Sequence, residues 1–193
     1  MTSKTIININ YKDYPECMFA VIAAFLPVHE GDDVRKAAGK VGFRSEDTLG
    51  RTYRNGLLHS YQDQPAAVSD VLHTKFWYKN GKRHRECDLP AIQSSTNSEW
   101  YKDGKRHREG GLPAVVFTDK KFFSIGVSKE WWENGQRHRE GDLPAIEASN
   151  GHREWWVNGQ RHREGDQPAV SSVSGYSEWW VNGEFVKSER FVF

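Results

Sequence analysis

One dipeptide recurs six times in this chain and limits what it can fold into. Asn55-Gly56, Asn80-Gly81, Asp103-Gly104, Asn134-Gly135, Asn158-Gly159 and Asn182-Gly183 fall 25, 23, 31, 24 and 24 residues apart, the longest step carrying an insertion around Phe122 to Ser128. Two residues before each pair stands an aromatic: Tyr53, Tyr78, Tyr101, Trp132, Trp156 or Trp180. One residue earlier a tryptophan recurs, at Trp77, Trp100, Trp131, Trp155 and Trp179, so every Trp of the protein occupies one of these two slots. Four residues after the Asn or Asp come His59, His84, His107, His138 and His162, and ten after it Pro65, Pro90, Pro113, Pro144 and Pro168, each followed by Ala. Arginines flank the last four histidines: Arg83 and Arg85, Arg106 and Arg108, Arg137 and Arg139, Arg161 and Arg163.

Asn-Gly between runs of aromatic and β-compatible residues is a hairpin signal, because a two-residue type I′ loop requires positive φ at both central positions. Each unit is therefore at least one β-hairpin. With Asn158-Gly159 as the loop, Trp156 faces Arg161, Trp155 faces His162 and Glu154 faces Arg163, on alternate faces of the sheet. Repetition turns these pairs into a Trp-His ladder on one face and an aromatic-Arg and Glu-Arg ladder on the other, the acids being Glu99, Glu130, Glu154 and Glu178. Such pairs contribute about 0.2–1 kcal/mol each and act by summation. The Gly-Asp-Leu-Pro-Ala segment that follows predicts a bulge or turn, with Gly110, Gly141 and Gly165 supplying a left-handed residue. Gln62 and Cys87 share that slot, so glycine is not obligatory there. Asn150-Gly151 is a second turn that joins one unit to the next. The expected architecture is mainly β: an elongated single-layer antiparallel β-meander, about 50–60 Å long at roughly 4.8 Å per strand.

Composition removes several functions. Lys and Arg total 27 against 26 Asp and Glu, a net charge of +1, so no global field recruits a nucleic acid. The two cysteines, Cys17 and Cys87, form no CxxC pair, which fits a reducing compartment. The longest apolar run, Met18 to Leu26, is too short to span a bilayer. We expect a location inside a cell. Histidines one unit apart are about 10 Å from each other, too far to share an ion, so no metal or cofactor is expected. Every unit carries the same polar groups, whereas catalysis needs one convergent cluster; we expect no enzyme and no catalytic residue, and read Cys87 as a substituted glycine slot.

The Trp-Tyr/Trp-x-Asn-Gly-x-Arg-His-Arg-Glu-Gly pattern, from about Arg51 to Lys187, resembles the MORN repeat family. Arg85, Arg108, Arg139 and Arg163 stand where the MORN unit has Gly after its His. With its Leu-Pro-Ala-Val tail, the unit is more similar to the MORN-like variant multiplied in large DNA viruses of amoebae. The resemblance implies a viral protein acting on host components, located in the host cytoplasm, a virion or the nucleus, a hairpin sheet used as a scaffold, and protein partners or, in some members, anionic lipid headgroups. It implies no catalysis.

Residues 1–50 lack the repeat. A strand at Thr5 to Asn10 and an apolar helix at Pro15 to Leu26 predict a small α+β cap over the first unit, since an open sheet needs a blocked edge. The alternative is an adaptor of ubiquitin ligases, because Pro15-Glu16, Ile22, Phe25-Leu26-Pro27 and Asp33-Val34 resemble an F-box. Residues 51–193 are then six repeats, the last truncated. Its Phe185, Val186, Phe191, Val192 and Phe193 either cap the final hairpin or form an edge for a homodimer. The function expected is protein interaction. The candidate binding surface is the ladder of Arg83, Arg85, Arg106, Arg108, Arg137, Arg139, Arg161 and Arg163, which anionic lipid headgroups would also suit.

Overall fold

The computed structural model describes residues 44–117 and 127–190. All six predicted turns are left-handed at both positions, as a type I′ loop demands; Asn158 has φ 49° and Gly159 φ 81°. Each turn closes a hairpin. Thr52–Arg54 pairs with Leu57–Leu58, Tyr78–Lys79 with Lys82–Arg83, Tyr101–Lys102 with Lys105–Arg106, Trp132–Glu133 with Gln136–Arg137, and Trp156–Val157 with Gln160–Arg161. The sixth, Tyr176–Val181 with Glu184–Arg190, is the longest, because its unit has no Pro-containing loop to interrupt the second strand.

The segments between hairpins build a second, continuous structure. Eleven strands form one antiparallel sheet in the order Glu184–Arg190, Tyr176–Val181, Val170–Ser171, Arg153–Glu154, Ile146–Ala148, Val127–Glu130, Val115–Phe117, Asn97–Glu99, Ile92–Gln93, Thr74–Phe76 and Ala67–Ser69. At the usual strand spacing this long sheet extends about 50 Å. The expected meander is present, with one refinement: in the second to fifth units the chain leaves the long sheet at the first Trp of the pair to make its hairpin, and returns through Pro-Ala. That Trp still closes the long sheet, its N–H donating to the Ala carbonyl (Trp77 to Ala91, 2.8 Å; Trp131 to Ala145, 2.9 Å).

A narrow core follows from this departure. Trp77, Trp131 and Trp155 are buried beside Ala91, Ala114, Ala145 and Ala169, all four at 0% exposure, and beside Ile92, Val115, Ile146 and Val170. The Pro-Ala-Ile/Val tail of the repeat is thus its inner wall, and Trp77 packs with Ala91 and Ile92 in one buried cluster.

The segment before Pro reverses the chain in the same left-handed conformation in all five units that carry it. Cys87 and Asp88 have φ 61° and 52°, and the equivalent pairs Gln62-Asp63, Gly110-Gly111, Gly141-Asp142 and Gly165-Asp166 are left-handed as well. The conformation is obligatory and the glycine is not. Of the predicted N-terminal cap and its F-box-like alternative, residues 1–43 lie outside the described residues, as do residues 118–126 of the insertion and Phe191 to Phe193. Residues 44–50 carry no helix: Arg44–Glu46 is a strand that pairs with Thr52–Arg54.

Candidate functional site

The two arginines of each unit, read from the sequence as one ladder, occupy two different environments. Arg106, Arg137 and Arg161 lie on the hairpins, directly across from the second aromatic, as the register Trp156↔Arg161 and Trp132↔Arg137 shows. Each guanidinium sits between the aromatic of its own hairpin and that of the next: Arg106 over Tyr101 and Trp132, Arg137 over Trp132 and Trp156, Arg161 over Trp156 and Trp180, at 4.9–5.8 Å. Arg83 begins the series over Phe76 and Tyr101. A glutamate ties each pair together. Glu154 accepts from the indole of Trp156 (2.8 Å) and from Arg161 Nε (3.1 Å), and Glu130 from Trp132 (2.7 Å). Burial raises the carboxyl of Glu154, but the hydrogen bond from His152 and the charge of Arg161 outweigh it and hold the group below its ordinary value.

The second arginine contradicts the sequence reading. Arg163 does not face Glu154; its guanidinium lies over Trp155, 3.8 Å from the ring centroid, and its Nε and Nη2 grip both oxygens of Asp142 from the preceding unit, at 2.8 and 3.0 Å. The hairpin ends at His162, so strand alternation cannot be carried one residue further. Arg85 repeats the arrangement on Trp77 and Asp63, and Arg108 on Trp100 and Asp88. In each, Nη1 also donates to the carbonyl of the Pro five residues on. The hydrogen bond from Arg163 is the main reason the Asp142 carboxyl titrates below its ordinary value.

Tryptophan and histidine join the same boundary. The indole N–H of Trp77, Trp100, Trp155 and Trp179 donates to the carbonyl of Asp63, Asp88, Asp142 and Asp166 in the preceding loop. The histidines accept at Nδ1 from the first amide of the next unit's turn: Asn80 to His59, Asp103 to His84, Asn134 to His107, Asn158 to His138 and Asn182 to His162, at 3.1–3.3 Å. Each of the last four histidines also stays across the hairpin from its Trp, as His162 N–H to the Trp155 carbonyl at 3.2 Å shows, so the same residue serves both its own unit and the next. An acceptor at Nδ1 places the ring proton at Nε2, where His162 meets Glu164 at 2.9 Å. No group of three or more His, Cys, Asp or Glu able to hold a metal is found among the described residues. Cys87 is not a free thiol.

Between successive units these contacts leave clefts of similar lining and growing size. The one beside Asp63, Trp77 and Arg85 measures ≈ 20 Å³, the one beside Asp88, Trp100 and Arg108 ≈ 210 Å³, and the one beside Gly111, Trp131 and Arg139 ≈ 400 Å³. Leu89 lines the second of these and Leu112 and Leu143 the third, and they are 37%, 46% and 48% exposed. Their slot before Pro is part of the repeat, but nothing in its spacing marks these leucines as exposed. Gln64 and Gln167 hold that slot in the first and fifth units, so the apolar row is confined to three units. Comparison with protein-family models, curated proteins and solved structures finds no match to the chain.

Proposed function

We propose that this chain is a non-enzymatic, MORN-like repeat scaffold that binds proteins along the face formed by its Pro loops. The observation that carries the reading is the row Leu89, Leu112 and Leu143, exposed beside clefts lined by Trp and Arg. Leucines recurring about every 10 Å, one per two strands, with indole and guanidinium groups between them, offer what protein interfaces favour: apolar anchors with Trp and Arg at hand. The likeness of the repeat to arrays multiplied in large DNA viruses supports the same role and adds its setting, the host components of an infected cell.

The arginine ladder itself is a weaker surface for anionic lipid. Arg85, Arg108 and Arg163 are 13–16% exposed and each is neutralised by an Asp, and Arg106, Arg137 and Arg161 are engaged by Glu99, Glu130 and Glu154. Paired arginines project little free potential toward a membrane.

A photoreactive amino acid placed in turn at the positions of Leu89, Leu112 and Leu143 tests the proposal in cells, with Val68, exposed in the long sheet, as the control position. The expected result is one shared adduct from the three loop positions and none from position 68. No adduct from the loop positions, or the same adduct from position 68, would overturn the reading.

A further inference from the structure

Among the second to fifth units, which carry the second arginine, one departs from the boundary rule. Where Asp63, Asp88 and Asp142 supply a carboxylate to the arginine of the next unit, the third loop has Gly111, and the arginine facing it is Arg139. The backbone has kept its place: Gly111 is left-handed like the aspartates, φ 68° against 52–56°, and its carbonyl accepts the indole N–H of Trp131 at 2.8 Å as the aspartate carbonyls do in their units. Arg139 has kept its place as well, 3.6 Å from the centroid of Trp131, with Nη1 on the Pro144 carbonyl at 3.0 Å. Only the carboxylate has gone. A Cβ at Gly111 would meet nothing within 4 Å, and the cleft there, ≈ 400 Å³, is larger than those beside Arg85 and Arg108.

Glu147 contacts Arg139 from the other side, also through Nη1, at 2.8 Å. That contact anchors the guanidinium without using the edge that holds Asp63, Asp88 and Asp142 elsewhere. Nε and Nη2 of Arg139 have no hydrogen-bond partner among the described residues, and the side chain is 18% exposed. A planar, held guanidinium fork stacked on an indole is built for a carboxylate with two oxygens in one plane.

We propose that the cleft between the third and fourth units is a receptor for a carboxylate side chain, an Asp or Glu of a partner protein, which takes the place of the missing aspartate. Leu112 and Leu143 line the same cleft, so the fitting segment has apolar residues next to its acid. The inference rests on the scaffold reading and names the chemistry of its partner.

The test is an NMR titration of the arginine Nε–H resonances in the full chain with N-acetyl-aspartate N-methylamide, with the asparagine analogue and inorganic phosphate as comparison probes. The expected result is a saturable shift at Arg139 with the aspartate probe, little at Arg85, Arg108 and Arg163, whose forks are occupied, and none with asparagine. Gly111→Asp should restore the internal pair, abolish the Arg139 shift and raise Tm by a few degrees. An unmoved Arg139, equal shifts at all four arginines, a response to phosphate alone, or binding that survives Gly111→Asp would each overturn the proposal. Because the probe is a small molecule, saturable binding stands even if the leucine row captures no partner, and its absence leaves the crosslinking result intact.

Discussion

The long sheet and the row of hairpins stack the same units by different means. In the long sheet each strand is bonded to its neighbours through the backbone, and Val115 is paired on both sides, with Glu99 and Glu130. In the hairpin row, neighbours share one or two peptide-to-peptide bonds, such as Gly159 N–H to the Arg137 carbonyl at 2.9 Å; side chains supply the rest, through guanidiniums between rings and a histidine under each following turn. The comparison teaches a division of labour. The sheet and its Trp-Ala wall supply cohesion with few residue types, whereas the hairpin row is a chain of specific polar contacts, each modest, that fixes one unit's place on the next.

Substitutions in the wall should therefore cost most. Trp131→Ala removes a buried ring and should destabilise by about 3–5 kcal/mol in urea unfolding; a loss under 1 kcal/mol would mean the wall is not the cohesive part. Ala145→Leu, with no exposed surface to expand into, should cost about 1–3 kcal/mol by overpacking. On the hairpin side, Arg163→Lys keeps the charge but loses the fork and most of the stacking, and about 1 kcal/mol is expected. His138→Ala should cost about 0.5–1.5 kcal/mol and speed hydrogen exchange of the Asn158 amide far more than that of amides in the long sheet; uniform acceleration would erase the distinction between the two rows.

Acid sharpens the same comparison by the smallest effect. Glu154 and Asp142 titrate below their ordinary values of 4.5 and 3.8 in the folded chain. Their contribution is then fully present above those values and fades as pH falls below them toward the folded values. Tm should decline below about pH 4.5, and Glu154→Gln should start lower and decline less steeply. A variant that tracks the parent in parallel would place the acid sensitivity elsewhere.

Contacts within a unit were legible in the sequence, and contacts between units were not. Asn158-Gly159 fixed its turn, and the turn fixed Trp156 opposite Arg161, because two-residue loops set register by counting. The same counting fails at Arg163, which lies past the end of the hairpin and belongs with Asp142, 21 positions earlier. Nothing in the spacing of His138 says that it serves the turn at Asn158, since that depends on how far one hairpin is offset from the next. The long sheet was likewise hidden as a separate element: its strands are two or three residues long in most units, too short to show alternation. At the candidate site, the consensus segment Gly-Asp-Leu-Pro-Ala held the needed signal, in Gly111 as its one departure from Asp, but the aspartate has no evident role until its arginine is seen in the following unit.

The histidine contacts all run in one direction, from a ring in one unit to a turn amide in the next. In the last unit Val186 stands in the histidine slot and Phe185 and Lys187 in the arginine slots, so a seventh turn placed after it would find no ring nitrogen to meet its first amide. The array has a built-in terminus. A lengthened version made by duplicating an interior unit should pack as its neighbours do, whereas one made by appending a unit at the end would leave that junction unbonded; length in such a chain grows from the middle.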